Sequence, residues 1–330
     1  MVSSVRVAGI DCGTNSIRLM IADVSESGMT VVVPKTMEVV RLGQDIDRTH
    51  RFDPEALERT FAASRRFAAM IADAGADAVR FVATSATRDA SNREVFETEI
   101  ENIFSVHPEV ISGEKEAKLS FLGATQAVRG SGDAPYLVVD LGGGSTELVL
   151  GGTEGRTHIV ESAVSMNVGS VRMSERYLHS DPPTREELLT ATEEIDDALC
   201  RAFSRVPVHK TTTLIGVSGT VTTMSLLALG EKTYSREKVD GAIVSFEAAQ
   251  AACERIMSMP LRQMEHIPLI HPGSRDVIAG GALIWSRLLA CLSKQVERDG
   301  RVLDSYTASE RGLLDGIVLD RGRKFLGLGE

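Results

Sequence analysis

The chain is short of cysteine, has no surplus of basic residues and contains no long uninterrupted apolar run, and each shortage removes a class of protein. Its four cysteines, Cys12, Cys200, Cys253 and Cys291, are scattered without metal-type pairing. That excludes a disulfide framework and points to buried thiols in a reducing compartment. Against 46 Asp and Glu stand 36 Lys and Arg, for a formal charge of −10. Such a balance argues against the broad basic surface that nucleic acid or anionic lipid requires. An anionic substrate therefore needs a local basic pocket or a cation. No run of about 18 apolar residues occurs, and the opening "MVSSVRVAGID" lacks the basic flank and apolar core of a targeting segment. The expectation is a soluble, cytoplasmic protein with no membrane or nucleic-acid partner.

What is present is an internal repeat. "GIDCGTNSIRLMIAD" (9–23) lies over "VVDLGGGSTELVLGG" (138–152) at a constant offset of 129 residues, setting Asp11 on Asp140, Gly13 on Gly142 and Ser16 on Ser145. Each copy is an apolar strand, an Asp, a glycine-bearing turn and a second strand, the signature of a hairpin. At 330 residues and 43% hydrophobic there is room for two domains of about 150 residues. Helix and strand signals alternate between and after the copies. Helices are expected over 53–75, 91–106, 113–128, 181–203 and 274–292, and 211–229 reads as strand, Gly/Ser turn, helix. The Gly/Pro/Asp-rich "RGSGDAP" (129–135) marks the boundary, giving domains 1–128 and 129–330. The pattern predicts two α/β domains, each a mixed sheet with helices, facing each other across a cleft.

The chemistry gathers at the turns. In "DLGGGSTE" (140–147), Gly142, Gly143, Gly144 and Ser145 can form a nest of backbone amides that a phosphate approaches closely. Glycine turns also serve merely to reverse a strand. The flanking acids favour the first reading, because Asp140 and Glu147 beside a phosphate repel it unless a cation lies between. In the first copy, Gly13, Thr14, Asn15 and Ser16 offer a second lip, with Asp11 as an additional acid, although Asn and Ser also cap ordinary turns. Arg18 stands where the second copy has Glu147, so the metal role falls to the second copy.

Arg88, just after a strand in "TSATRDA", can clamp phosphate bidentately or be a surface residue. Glu116 borders the small residues Ser120, Gly123 and Ala127 on a helix. It is a candidate to be partly buried and to act as a general base, while Glu114 fits a helix-dipole role. Ser218 and Gly219 in "GVSGTVTT" suit an outer phosphate or a nucleotide, or an ordinary helix cap. Arg172 and Arg275 extend a basic track or sit in surface salt bridges. His271 has no spaced partner.

The ordered set "GIDCGTNSIRL", "ATSATRDA", "ISGEKEAKLSFLGA", "VVDLGGGSTELVLG", "GVSGTVTT" and "SRDVIAGGALI" closely resembles the exopolyphosphatase/guanosine pentaphosphate phosphatase family. The resemblance implies two RNase H-like domains of the actin, sugar-kinase and Hsp70 superfamily flanking an interdomain cleft. It also implies Glu116 as catalytic base, Arg88 as a phosphate-contacting arginine, Asp140 and Glu147 as acids of a Mg²⁺ site (Mn²⁺ as substitute), and loops 13–16 and 142–145 as the phosphate cradle. Longer relatives carry an extra helical C-terminal region absent here, which argues against processive handling of very long polymers.

The expected activity is hydrolysis of the terminal phosphate of linear polyphosphate by in-line attack of water. Hydrolysis of the 5′ γ-phosphate of guanosine pentaphosphate (pppGpp) by the same residues is the catalytic alternative. A non-catalytic alarmone-binding regulator is the alternative of another class, and an ATP-dependent kinase ranks last. A homodimer is among the oligomeric states left open.

Overall fold

In the computed structural model, which describes residues 4–126, 133–154 and 157–328, the chain divides into two units, Met1–Gly123 with Leu313–Glu330, and Ala124–Gly312. The first unit carries strands β1 (Ser4–Cys12), β2 (Ser16–Ser25), β3 (Gly28–Val39), β4 (Ala78–Ala83) and β5 (Glu109–Val110), in the sheet order β3-β2-β1-β4-β5. The pairs β1–β2 and β2–β3 are antiparallel, whereas β1–β4 and β4–β5 are parallel. Helices α1 (Pro54–Ala74), α2 (Arg93–Phe104) and α3 (Gly113–Ala124) supply the crossovers. For α1 the sequence signals hold: Asp53 accepts the amides of Glu55 and Ala56, Pro54 opens the helix, and Gly75 ends it at φ 63°.

Alternation along β1 sorts its residues to two faces. Ala8, Ile10 and Cys12 join Phe61, Phe67, Phe81 and Phe96 in one buried cluster, while Val5 and Val7 join Val24, Leu314 and Val318 in another. The second cluster explains why the C-terminal helix, Leu313–Phe325, belongs to the first unit. Without Leu314 and Val318 that sheet face would be bare. The chain therefore crosses between units at 123/124 and again at 312/313, where a single boundary at 128/129 was expected; residues 127–132 lie outside the described set.

The second unit repeats the scheme with β6 (Tyr136–Leu141), β7 (Thr146–Glu154), β8 (Thr157–Met166), β9 (Thr213–Val217), β10 (Ile243–Ser245) and β11 (Ser305–Ser309), in the order β10-β11-β9-β6-β7-β8. With the short edge strand β10 set aside, order and polarity match the first sheet strand for strand. This is the doubled RNase H-like α/β architecture that the resemblance implies. Its helices are α4 (Ser170–Tyr177), α5 (Arg185–Arg205), α6 (Gly219–Ala228), α7 (Phe246–Met257) and α8 (Ile278–Glu297). One large core that includes Trp285, Tyr306 and Leu214 fills the unit. Helix α5 begins four residues later than the expected 181, because Thr184 and Glu187 form a reciprocal capping box there. Asp181 instead accepts the amide of Leu261 at 2.8 Å. Among the described residues, no helix is long and apolar enough to cross a membrane.

Candidate active site

The repeat seen in the sequence is exact in register. Asp11 faces Arg18 across β1–β2, and Asp140 faces Glu147 across β6–β7. Each turn closes with the same hydrogen bond, Gly13 N–H to Ser16 C=O at 3.0 Å and Gly142 N–H to Ser145 C=O at 2.9 Å.

In the second unit the turn is held from one side. The amide of Ser170 donates to the Gly142 carbonyl at 3.0 Å, those of Val171 and Arg172 to Gly143 at 2.9 and 3.2 Å, and Arg172 Nε to Gly144 at 2.8 Å. In a planar trans peptide, the C=O of one residue and the N–H of the next point in opposite directions. With three successive carbonyls drawn towards α4, the amides of Gly143, Gly144 and Ser145 point away from it. Among the described residues these three amides donate to no other group. Adjacent amides aimed to one side are the arrangement that an anion nest requires. The first unit builds its lip the same way: Gly43 N–H holds the Thr14 carbonyl at 2.8 Å, and the amides of Val40 and Arg41 hold that of Asn15 at 3.1 and 2.9 Å. Thr14 and Ser16 are buried beneath the turn.

The acids differ between copies. Asp11 is buried and meets Arg18 Nη1 at 3.7 Å. At the equivalent register Asp140 meets another acid, and Glu147 is only 2% exposed. Ser165 Oγ donates to Glu147 Oε1 at 2.7 Å, a contact from β8 that no motif announced. Like charges directly opposed across a ladder are destabilising. A pair of carboxylates, Glu147 buried and Asp140 half-buried, therefore fits a divalent cation, whereas Asp11 has its countercharge in the protein. Among the described residues, no group of three or more His, Cys, Asp or Glu could hold a metal, so any ion here takes its remaining ligands from substrate oxygens or water, as Mg²⁺ commonly does.

Arg88 lies on the one-turn helix Ser85–Asp89 after β4, and Glu116 in the first turn of α3. Arg88 Nη1 donates to the Ile111 carbonyl at 2.9 Å and to Glu116 Oε2 at 2.8 Å. Glu116 is 7% exposed. The contact is an ion pair that fixes the orientation of the Glu116 carboxylate. Arg88 Nε and Nη2 make no hydrogen bond among the described residues and remain available to a phosphate. Glu114 pairs with Lys118 on the exposed face.

Ser218 precedes α6 with φ 87° and ψ 166°, a conformation almost confined to glycine, and its side chain makes no capping hydrogen bond. An ordinary cap does not account for it. Next to it, a Cβ at Gly219 would meet nothing within 4 Å, so the helix N-terminus opens onto free space. One expectation changes. Arg172 is 6% exposed and braces the glycine turn instead of lying on a surface track. His271 caps its own turn by accepting the amide of Gly273.

The family model described as "Ppx/GppA phosphatase family" matches residues 20–321. "Exopolyphosphatase 2" of Mycobacterium tuberculosis is 42% identical over 322 residues, 95% of this chain and 98% of the relative. The crystal structure of an exopolyphosphatase-like protein superposes with a TM-score of 0.95 at 56% identity, covering 98% of this chain and 99% of the other. The Aquifex aeolicus PPX-GPPA enzyme gives a TM-score of 0.76 at 26% identity over 96% of this chain and 99% of that one. With the match running through both repeats and nearly the whole length, the chain belongs to the Ppx/GppA phosphatase family.

Proposed function

We propose that this protein is an exopolyphosphatase, a hydrolase that removes the terminal phosphate of linear inorganic polyphosphate. The observation that carries the reading is the anchored glycine turn, whose three outward amides and facing acids suit a phosphate chain with its cation. The relative named an exopolyphosphatase, similar over nearly its whole length, supports the substrate class.

In this reading the amides of Gly143, Gly144 and Ser145 hold oxygens of the terminal phosphoryl group, with Gly13, Thr14, Asn15 and Ser16 as the second lip. Arg88 donates through Nε and Nη2 as charge spreads over the equatorial oxygens. Glu116 accepts the proton of the attacking water, oriented by its contact with Arg88. Ser218 and Gly219 hold a more distal phosphate. Asp140 and Glu147 would hold a divalent cation, Mg²⁺ or Mn²⁺, which would supply countercharge to the phosphate oxygens. Phosphoryl transfer asks mainly for positioning and charge stabilisation, and these groups provide both.

The deciding experiment is phosphate release from polyphosphates of defined length and from pppGpp, with and without divalent metal. The expected result is metal-dependent release from polyphosphate, faster than from pppGpp. Release from pppGpp alone would reassign the substrate, and tight binding of pppGpp with no turnover of either would make the protein a sensor.

A further inference from the structure

We infer that the segment Gly169–Arg172 is a positioning device for the reaction, with Arg172 as its principal side chain: it sets the direction of the glycine-turn amides. The inference rests on the reading of that turn as the phosphate cradle. A glycine triplet has no side chains to hold it and the widest backbone freedom of any sequence. Left alone, it would sample orientations in which carbonyls rather than amides face the anion. Four donors from this one segment restrain it: the amides of Ser170, Val171 and Arg172, and Arg172 Nε.

The approach itself is specified. A Cβ at Gly169 would lie 2.4 Å from the Gly143 oxygen and 2.6 Å from the Gly144 carbonyl carbon, contacts with backbone that no side-chain motion relieves. The first amides of α4, which elsewhere attract anions, are consumed here by the turn's own carbonyls. Arg172 goes further, because it is buried and places a cationic donor on the last carbonyl of the triplet. Drawing electron density towards that carbonyl strengthens the next amide, Ser145 N–H, as a donor on the opposite side. The first unit restrains its turn with backbone amides from residues 40–43, and Gly43 likewise approaches closely, its Cβ position lying 2.3 Å from Thr14 Cγ2. The mechanical principle thus appears twice, with the cationic side-chain brace on the glycine triplet.

The test compares Arg172→Lys, Arg172→Ala and Gly169→Ala in the full chain, reading kcat/KM for polyphosphate per folded molecule. Expected is a loss of about 10²-fold for Arg172→Ala, with guanidinium or N-methylguanidine at non-denaturing concentration restoring part of it. A smaller loss is expected for Arg172→Lys, which keeps the charge but not the geometry at the Gly144 carbonyl, and a loss that guanidinium does not restore for Gly169→Ala. A purely structural arginine would lower the folded fraction and leave kcat/KM intact; that result, or kcat/KM unchanged in both Arg172 variants, overturns the inference. If Arg172→Ala does not fold, Arg172→Lys decides by the same criterion. If the wild type releases no phosphate, the functional reading fails. The inference is then judged by calorimetric binding of inorganic phosphate, which Arg172→Lys must weaken and whose indifference to the change rejects it.

Discussion

Ser218 holds a backbone conformation that costs a non-glycine residue about 1–3 kcal/mol, yet its hydroxyl caps nothing. Replacing it by glycine removes that strain, against which the extra freedom of the unfolded chain costs about 0.5–1 kcal/mol. Ser218→Gly is therefore expected to stabilise the protein by about 1 kcal/mol while lowering kcat/KM for polyphosphate, read by denaturant unfolding and phosphate release in parallel. A variant that is more stable and fully active would remove Ser218 from substrate binding. Glu116 gives the complementary case. Glu116→Gln keeps the shape and a hydrogen bond to Arg88 but cannot take a proton, so kcat should fall by about 10²–10⁴-fold with KM little changed. Undiminished turnover would exclude Glu116 as the base. Both residues were legible in the sequence as candidates, Ser218 for an outer phosphate and Glu116 for a general base; the dihedral angle of the one and the ion pair of the other are what one-dimensional spacing does not record.

At the level of elements, the hairpins and the long helices were legible because their signals are local: Asp53, Pro54 and Gly75 bracket α1, and the two Asp–Gly–Ser turns repeat at one offset. The outer strands β3 and β8 were not, since each pairs on one side only and carries mixed exposure without a clean apolar alternation. Nor was the destination of the C-terminal helix, whose packing partners are nearly the whole chain away. That helix lies so close to α3 that a Cβ at Gly316 would fall 1.9 Å from the Leu119 carbonyl oxygen. Leu119 is one turn beyond Glu116 on α3. Gly316→Ala forces the two helices apart and should cost about 1–3 kcal/mol of stability, seen as a lower unfolding temperature. If Glu116 is the base proposed above, activity per folded molecule should fall as well, because the displacement is carried by the helix that presents it. Unfolding at the wild-type temperature would show that α3 does not depend on this contact.

Across the whole molecule, the two units are copies in topology but not in charge. Where the first neutralises its aspartate with Arg18, the second sets Glu147 against Asp140, and in a chain of formal charge −10 this pair has no arginine at the equivalent register. Two carboxylates with no third ligating acid among the described residues would hold a divalent ion weakly, and three amides beside two acids would hold phosphate weakly. Each ligand supplies what the other lacks. Binding should therefore be coupled: Mg²⁺ and inorganic phosphate together should raise the unfolding temperature by more than the sum of their separate effects, since each ligand at 100 times its dissociation constant adds about 2.7 kcal/mol to the folded state. Glu147→Gln should abolish the excess by removing half of the acidic pair, and Asp11→Asn should leave most of it, because that acid already has a protein countercharge. Additive shifts in the wild type, or an excess that survives Glu147→Gln, would mean that the phosphate is held by the amides and arginine alone and that the paired acids serve another purpose.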